Sequence, residues 1–310
     1  MTPSAPRAVF LGTPEAAVPT LKSLAAVAEV VAVVTRPDRP KGRSRKPSPP
    51  PVAAAARSLG IPVVQPATTT ELTETLEGFD NVEVGIVTAY GLVIRREALA
   101  IPRAGFLNVH FSLLPRWRGA SPVTAAIMAG DPETGVTIMQ LDEGLDTGPI
   151  VRARPLVIGT DESGEQLTRR LAQMGADLLA ETLPSWVAGE IVAVPQPETG
   201  VTMAPRLTKS DRELDLSMEP TVLSRQVRAL ASKPGATLAV DGRPIRILAA
   251  RATDRRLGRG EIVVENGRLM VGAGSGGGLE LLVLQPPGRK PMGAAEWLRG
   301  LREPPTTAGN

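Results

Sequence analysis

The sequence predicts an α/β protein in which a parallel sheet covered by helices is followed by a small antiparallel barrel or sandwich. Short apolar runs alternate with helix-like segments over the first two thirds of the chain, the order typical of parallel sheets with covering helices. Two tight-turn pairs, Asp241-Gly242 and Asn266-Gly267, separate short apolar strands nearer the carboxyl end. Such pairs are the strongest local signal of antiparallel hairpins.

The predicted strands of the first domain are short and rich in β-branched residues. They cover residues 8–11, 30–35, 61–64, 84–88, 106–111 and 136–141. A long helix is expected over 161–188, with Thr160 as its N-cap and Gly189 as its stop. The apolar residues Leu167, Leu171, Met174 and Leu178 recur with helical spacing along it.

The second domain is predicted to begin near residue 206, so that the chain divides into 1–205 and 206–310. Pro220 is expected to open a helix that carries Leu223, Val227 and Leu230 on one face. The hairpin signals then place a small barrel or sandwich over 237–284.

Charge divides along the same boundary. Residues 1–205 hold 18 basic and 21 acidic side chains, whereas residues 206–310 hold 17 basic and 11 acidic. Within the first domain, residues 36–51 carry six basic groups and one acid. A basic loop on an otherwise acidic domain indicates contact with a phosphate backbone. We expect this contact from Arg39, Lys41, Arg43, Arg45 and Lys46.

The only histidine of the chain, His110, lies two residues from Asn108 in the predicted strand 106–111. Alternate residues of a strand share a face, so an amide and an imidazole stand side by side. Such a pair can bind a developing oxyanion and move a proton. We therefore expect His110 and Asn108 at the centre of the chemistry.

A glycine-rich acidic loop, residues 142–148, follows the strand 136–141. It holds three carboxylates, on Asp142, Glu143 and Asp146, any of which is able to orient the imidazole or take a proton from water. The spacing alone does not choose among them.

Several classes of protein are excluded. The chain has no cysteine, which excludes a disulfide framework, a thiol nucleophile and a thiolate metal site. Gly12-Thr13-Pro14 lacks the glycine spacing of a dinucleotide site. No metal site, signal peptide or membrane span is expected, which suits a cytoplasmic protein.

These motifs resemble those of the methionyl-tRNA formyltransferase family over nearly the whole chain. The family signature reads as Asn108-Val109-His110, the run from Ser112 to Pro122, and the loop from Asp142 to Gly148. The first turn, residues 11–14, the basic loop from Arg36, the junction 204–209 and the stretch 284–292 also match.

The resemblance implies a Rossmann-like catalytic domain and an OB-like tRNA-binding domain. It picks Asp146 as the catalytic carboxylate beside Asn108 and His110, and it implies that Ser112, Leu113, Leu114 and Pro115 bind the folate. The expected activity is formyl transfer from 10-formyltetrahydrofolate to methionine on initiator tRNA, by a monomer. We expect protonated His110 and Asn108 to donate to the formyl oxygen, with Asp146 raising the pKa of His110.

Two alternative functions remain. A formyltransferase for a small amine, such as an amino sugar, would need no basic second domain. A non-catalytic RNA-binding protein would not need Asn108, His110 and Asp146 together. Formyl transfer to charged tRNA and folate binding distinguish these functions.

Overall fold

The computed structural model describes residues 5–40, 47–231 and 234–309. The chain forms two compact units. The first unit comprises Met1–Pro122, Glu133–Val157 and Thr168–Pro205, and the second comprises Val123–Pro132, Ile158–Leu167 and Arg206–Asn310. The junction at 205/206 is therefore one of several changes of unit along the chain, and the continuous domain boundary stays a prediction.

The first unit is built on a seven-stranded sheet with the order β5-β2-β1-β6-β7-β8-β9. A separate pair, β3 and β4, forms a short antiparallel ladder at the base of the basic loop. The strands are β1 (Arg7–Gly12), β2 (Glu29–Val34), β3 (Arg39–Pro40), β4 (Pro47–Ser48), β5 (Val63–Val64), β6 (Val84–Thr88), β7 (Phe106–His110), β8 (Glu133–Gln140) and β9 (Ile150–Val157).

Helices connect these strands and cover the sheets of both units. Their bounds are α1 (Val18–Val27), α2 (Pro51–Ser58), α3 (Thr69–Glu77), α4 (Arg96–Leu99), α5 (Pro122–Ala129), α6 (Gly164–Val187), α7 (Pro220–Ala229) and α8 (Ala294–Arg299). Short 3₁₀ turns occupy Glu15–Ala17 and Ser210–Arg212.

The central strands of the first unit are parallel, as the apolar runs predict. β1 pairs in parallel with β2 and β6, and β6 pairs in parallel with β7. The expectation that the sixth run extends the parallel pattern is wrong, because β8 runs antiparallel to both β7 and β9. Residues 141–149 connect β8 back to β9 at one edge of the sheet, so these two strands form a hairpin rather than a crossover unit.

Helix α6 confirms the predicted long helix, but its N-cap is not Thr160. Ser163 Oγ accepts a hydrogen bond from Gln166 N (3.2 Å), and Gln166 Oε1 accepts one from Ser163 N (2.9 Å). This reciprocal capping box satisfies two free amide groups at the helix start. At the other end, Gly189 has a φ of 76° and donates to Trp186 O, as expected for a helix stop.

The second unit contains an antiparallel sheet, as predicted, and this sheet has six strands. Its strands are β10 (Ala236–Val240), β11 (Arg243–Thr253), β12 (Ile262–Glu265), β13 (Arg268–Ala273), β14 (Gly277–Gln285) and β15 (Met292–Gly293). The two predicted turns join β10 to β11 and β12 to β13, and all four turn residues have positive φ. Leu223, Val227 and Leu230 are buried in its core.

The carboxyl-terminal segment connects the two ends of this sheet. Thr307 bridges Glu261, and Ala308 bridges Val240, each in antiparallel fashion. Asp241 Oδ1 accepts hydrogen bonds from the backbone N–H groups of Thr306 (3.1 Å) and Thr307 (3.0 Å). The segment thus covers edges that the strand order β10-β11-β14-β13-β12 leaves open.

Candidate active site

Strand β7 places Asn108 and His110 on one face of the sheet, as its period of two predicts. Val109, between them, points to the opposite face, where helix α6 covers it. The approach is close: a Cβ added to Gly175 would lie 2.6 Å from Val109 Cγ1. A glycine at this point of α6 therefore lets the helix pack directly against the strand that carries the polar pair.

Asp146 reaches this pair from the acidic loop. Its Oδ1 accepts a hydrogen bond from Asn108 Nδ2 (3.2 Å), and its Oδ2 lies 3.6 Å from His110 Nδ1. The backbone N–H of Gly119 donates to the same Oδ2 (2.8 Å). One carboxylate thus connects the amide, the imidazole and a turn of the signature run.

The acidic loop arrives from an unexpected direction. Because β8 is antiparallel to β7, Gln140 lies opposite Leu107 and the loop starts beside the first half of β7. The chain then turns back over the polar face. Asp146 adopts a left-handed conformation with a φ of 53°, which a residue with a Cβ adopts only at a cost.

The other two carboxylates of the loop have different partners. Asp142 Oδ1 accepts hydrogen bonds from Gly144 N (3.1 Å) and Thr147 Oγ1 (2.8 Å), which fold the loop on itself. Glu143 pairs with Arg96 at 3.2 Å, and both side chains are exposed. The geometry therefore brings Asp146, and neither Asp142 nor Glu143, to the histidine.

His110 is 5% exposed, and a backbone carbonyl determines which nitrogen of its ring carries a proton. Its Nε2 lies 3.0 Å from Trp117 O. A carbonyl oxygen only accepts, so Nε2 carries a proton. In the neutral ring Nδ1 is then the basic nitrogen, and it faces Asp146.

The expected rise in the pKa of His110 is wrong. Burial, which disfavours the charged ring, lowers the pKa below its ordinary value, although Asp146 and the Trp117 carbonyl act in the opposite direction. The neutral ring is thus favoured near neutral pH. The N–H on Nε2 is already donated to Trp117, which favours the histidine as a base over a donor to an oxyanion.

The turn that carries Trp117 is docked on the segment 202–204. Trp117 N donates to Thr202 Oγ1 (2.9 Å), and Arg118 exchanges backbone bonds with Thr202 and Ala204. Gly119 has a φ of 118°, and a Cβ on it would lie 2.6 Å from Ala204 O. Sequence reasoning did not single out Thr202 or Ala204 for this positioning.

The run Ser112 to Pro115 is expected to bind folate. Several of its polar groups are used in hydrogen bonds to neighbouring residues. Ser112 Oγ donates to Arg116 O (2.6 Å), and Thr137 Oγ1 bridges Ser112 O (2.7 Å) and Leu114 N (3.1 Å). Ser112 and Leu114 are buried, whereas Leu113 and Pro115 are partly exposed. The Leu114–Pro115 peptide bond is cis. The folate-binding role of this run stays a prediction.

The base of the basic loop is anchored to the first unit. Gln65 Nε2 donates to Arg36 O (2.9 Å) and Asp38 Oδ1 (2.8 Å), and Arg36 donates to Ala67 O (3.0 Å). Arg39 is exposed on β3. The remaining residues expected to contact tRNA lie outside the described residues: Lys41, Arg43, Arg45 and Lys46.

Over the part of the chain that the structure describes, no group of three or more histidine, aspartate or glutamate side chains is placed to hold a metal ion. No helix within those residues has the length and apolar character needed to cross a membrane.

Comparison with known proteins identifies the family of the chain. Residues 8–183 match the family model described as formyl transferase, and residues 206–302 match the formyl transferase C-terminal domain. The solved structure of WlaRD, a sugar 3N-formyl transferase, has a TM-score of 0.69 at 14% identity and covers 93% of this chain and all of that one. HypX from Aquifex aeolicus, solved with tetrahydrofolic acid, has a TM-score of 0.65 at 17% identity over 95% of this chain and 47% of its own.

Sequence relatives are much closer than these structures. The methionyl-tRNA formyltransferase of Halorhodospira halophila is 46% identical over 306 residues, covering 96% of this chain and 97% of its own. That of Myxococcus xanthus is 41% identical and covers 96% of each chain. On this similarity, and on the two domain matches, the chain belongs to the methionyl-tRNA formyltransferase family.

Proposed function

We propose that the chain transfers the formyl group of 10-formyltetrahydrofolate to the α-amino group of methionine carried by initiator tRNA. The observation that supports this best is the convergence of Asn108, His110 and Asp146 on one face of the sheet, in a chain 46% identical to a named relative. The donor is a second substrate, and no metal has a part in the proposal.

The chemistry requires two proton movements and one oxyanion. The methionine amine attacks the formyl carbon, a carbon–nitrogen bond forms, and negative charge develops on the formyl oxygen. Collapse of this tetrahedral intermediate breaks the bond to the folate nitrogen. The amine loses a proton and the folate nitrogen gains one, so the enzyme needs an oxyanion donor and a proton carrier but no covalent nucleophile.

Asn108 suits the first task. One N–H of its amide is donated to Asp146, and an amide has a second N–H to offer to the formyl oxygen. His110 suits the second task, because burial keeps its ring neutral and Nδ1 is free to take a proton. Asp146, 3.6 Å from Nδ1, then faces the resulting imidazolium and stabilises its charge.

The basic loop and the basic second domain would position the large polyanionic substrate. Arg39 extends from the anchored base of the loop, and contacts of this kind fix register on a phosphate backbone without reading its sequence. We propose that residues 1–205 carry the catalysis and residues 206–310 the further tRNA contacts. We further propose that the protein acts as a monomer in the cytoplasm, where initiator tRNA is charged.

Formyl transfer to three acceptors tests this function. The acceptors are methionine-charged initiator tRNA, a small methionine ester and a nucleotide-linked amino sugar, each with 10-formyltetrahydrofolate, and uncharged tRNA serves as the blank. The proposal expects efficient transfer to the charged tRNA and poor transfer to both small amines. Preferential transfer to the amino sugar would contradict it, and sedimentation of the free enzyme tests the monomer.

A further inference from the structure

Gln196, which lies outside every recognised motif, makes four hydrogen bonds beneath the acidic loop. Its Nε2 donates to two backbone carbonyls, Asp146 O and Gly148 O, both at 2.8 Å. Its Oε1 accepts from Nε (2.9 Å) and Nη2 (2.6 Å) of Arg118. The amide thus uses both of its N–H groups and both of its lone pairs.

The hydrogen-bond partners of Gln196 lie in the two segments that position the active-site side chains. Asp146 and Gly148 lie in the acidic loop, and Arg118 lies in the turn between Trp117 and Gly119. Trp117 O accepts a hydrogen bond from His110 Nε2, and Gly119 N donates one to Asp146 Oδ2. Gln196 therefore joins the segment that presents the carboxylate to the segment that orients the imidazole.

The backbone at Asp146 explains why such a contact is needed. Its φ of 53° is left-handed, a conformation that residues with a Cβ adopt only at a cost. Relaxation to negative φ would swing the carboxylate away from Asn108 and His110. The bond from Gln196 to the carbonyl of this very residue opposes that relaxation.

Gln196 is itself held in place. Val194, two residues earlier, exchanges backbone hydrogen bonds with Ile150 at the start of β9 (2.7 and 2.8 Å). The charged guanidinium of Arg118 also polarises the amide, and polarisation strengthens the bonds that the amide donates. The backbone next to Gln196 is thus paired with β9, and the side chain of Gln196 is partly buried.

From this geometry we infer that Gln196 is a positioning residue for formyl transfer: with Arg118 it locks the left-handed backbone of Asp146 and so aligns the carboxylate with His110 and Asn108. The inference rests on the proposed function for its kinetic readout. It is independent of that function for its spectroscopic readout.

Two substitutions test it. Gln196→Met keeps the length of the side chain and removes all four bonds. Gln196→Glu keeps the two bonds from Arg118 but replaces the donor with a carboxylate that repels the two carbonyls. Gln173→Met is the matched control, because Gln173 is exposed on α6 and bonds to Asp177 in its own helix (2.9 Å).

Kinetics and spectroscopy are read together. We expect both Gln196 variants to lose at least about tenfold in kcat, as small displacements of catalytic groups do, while KM for the folate donor and for tRNA changes little. Because His110 is the only histidine, its ring ¹⁵N signals report on the site without assignment. These signals should shift in both variants and stay unchanged in Gln173→Met.

Turnover and His110 signals equal to those of the wild type would overturn the inference. A loss of activity equal to the unfolded fraction of the variant, with unchanged His110 signals, would also overturn it. Failure of both variants to fold would do the same. In either case Gln196 would have only a structural role. If the wild type transfers no formyl group, the proposed function fails. Shifted His110 signals in the variants would still support the positioning role.

Discussion

Replacing Asp146 with asparagine removes one negative charge from the centre of the site and keeps its shape. The carboxylate accepts from Asn108 Nδ2 and from Gly119 N, and its side chain is 12% exposed. An asparagine has one acceptor oxygen, and the backbone N–H of Gly119 is fixed. The new oxygen should therefore face Gly119, and the new NH₂ should face Asn108.

The side-chain amide of Asn108 is then expected to rotate, because its NH₂ group would otherwise face the NH₂ group of the new asparagine and neither can accept a hydrogen bond. A flip of Asn108 presents its oxygen to the variant residue and redirects its own NH₂ away from the site. Two charge-assisted bonds become neutral ones, which lowers the free energy of unfolding by about 1–3 kcal/mol. Loss of an oxyanion donor and of the carboxylate facing His110 should lower kcat about 10²–10⁴-fold.

Single-turnover formyl transfer and denaturant unfolding measure the two effects. Glu143→Gln is the control, because it removes the same charge from an exposed position in the same loop; it should change the free energy of unfolding by less than about 1 kcal/mol. Adding Asn108→Ala to Asp146→Asn should cost little further activity, since the flip has already removed that donor. Additive losses in the double variant would refute the coupling.

Three other perturbations follow from the structure. Arg39→Gln should weaken tRNA binding and reduce the slope of log Kd against log salt by about 0.7–0.9, whereas Arg57→Gln, also exposed but on α2, should not; equal slopes would exclude a phosphate contact. Gly175→Ala should lower the free energy of unfolding by about 1–3 kcal/mol through the clash with Val109 and also slow turnover; unchanged stability in urea would contradict the close packing. Burial lowers the pKa of His110 in the folded state, so the unfolded chain takes up a proton at a higher pH than the folded protein does. The free energy of unfolding that the neutral ring contributes is therefore fully present above the unfolded-state pKa of about 6.5, and it is lost as pH falls from there through the folded-state pKa. Unfolding in urea between neutral and mildly acidic pH should show this slope in the wild type and lose it in His110→Gln.

Much of the architecture follows from local pattern. A period of two places Asn108 and His110 on one face of β7 with no knowledge of the rest of the sheet. The turn pairs Asp241-Gly242 and Asn266-Gly267 fix two hairpins because they tolerate positive φ. These features depend on a few neighbouring residues, and their prediction succeeded for that reason.

Features that depend on tertiary context were not predictable in this way. The apolar run of β8 does not predict the direction of the strand, since parallel and antiparallel strands bury similar residues. The pKa of His110 depends on the balance between burial and Asp146, and the sequence shows only the carboxylate. Gln196 carries no motif, and its role appears only when residues 50 positions apart come together.

We propose that His110, oriented by Trp117 O and facing Asp146, moves the proton in formyl transfer. Single-turnover transfer from 10-formyltetrahydrofolate to methionine-charged initiator tRNA by His110→Ala, measured with tRNA binding on the same preparation, tests it most directly. We expect transfer to fall by at least about 10²-fold, while tRNA affinity stays near that of the wild type. Transfer at the wild-type rate would contradict it.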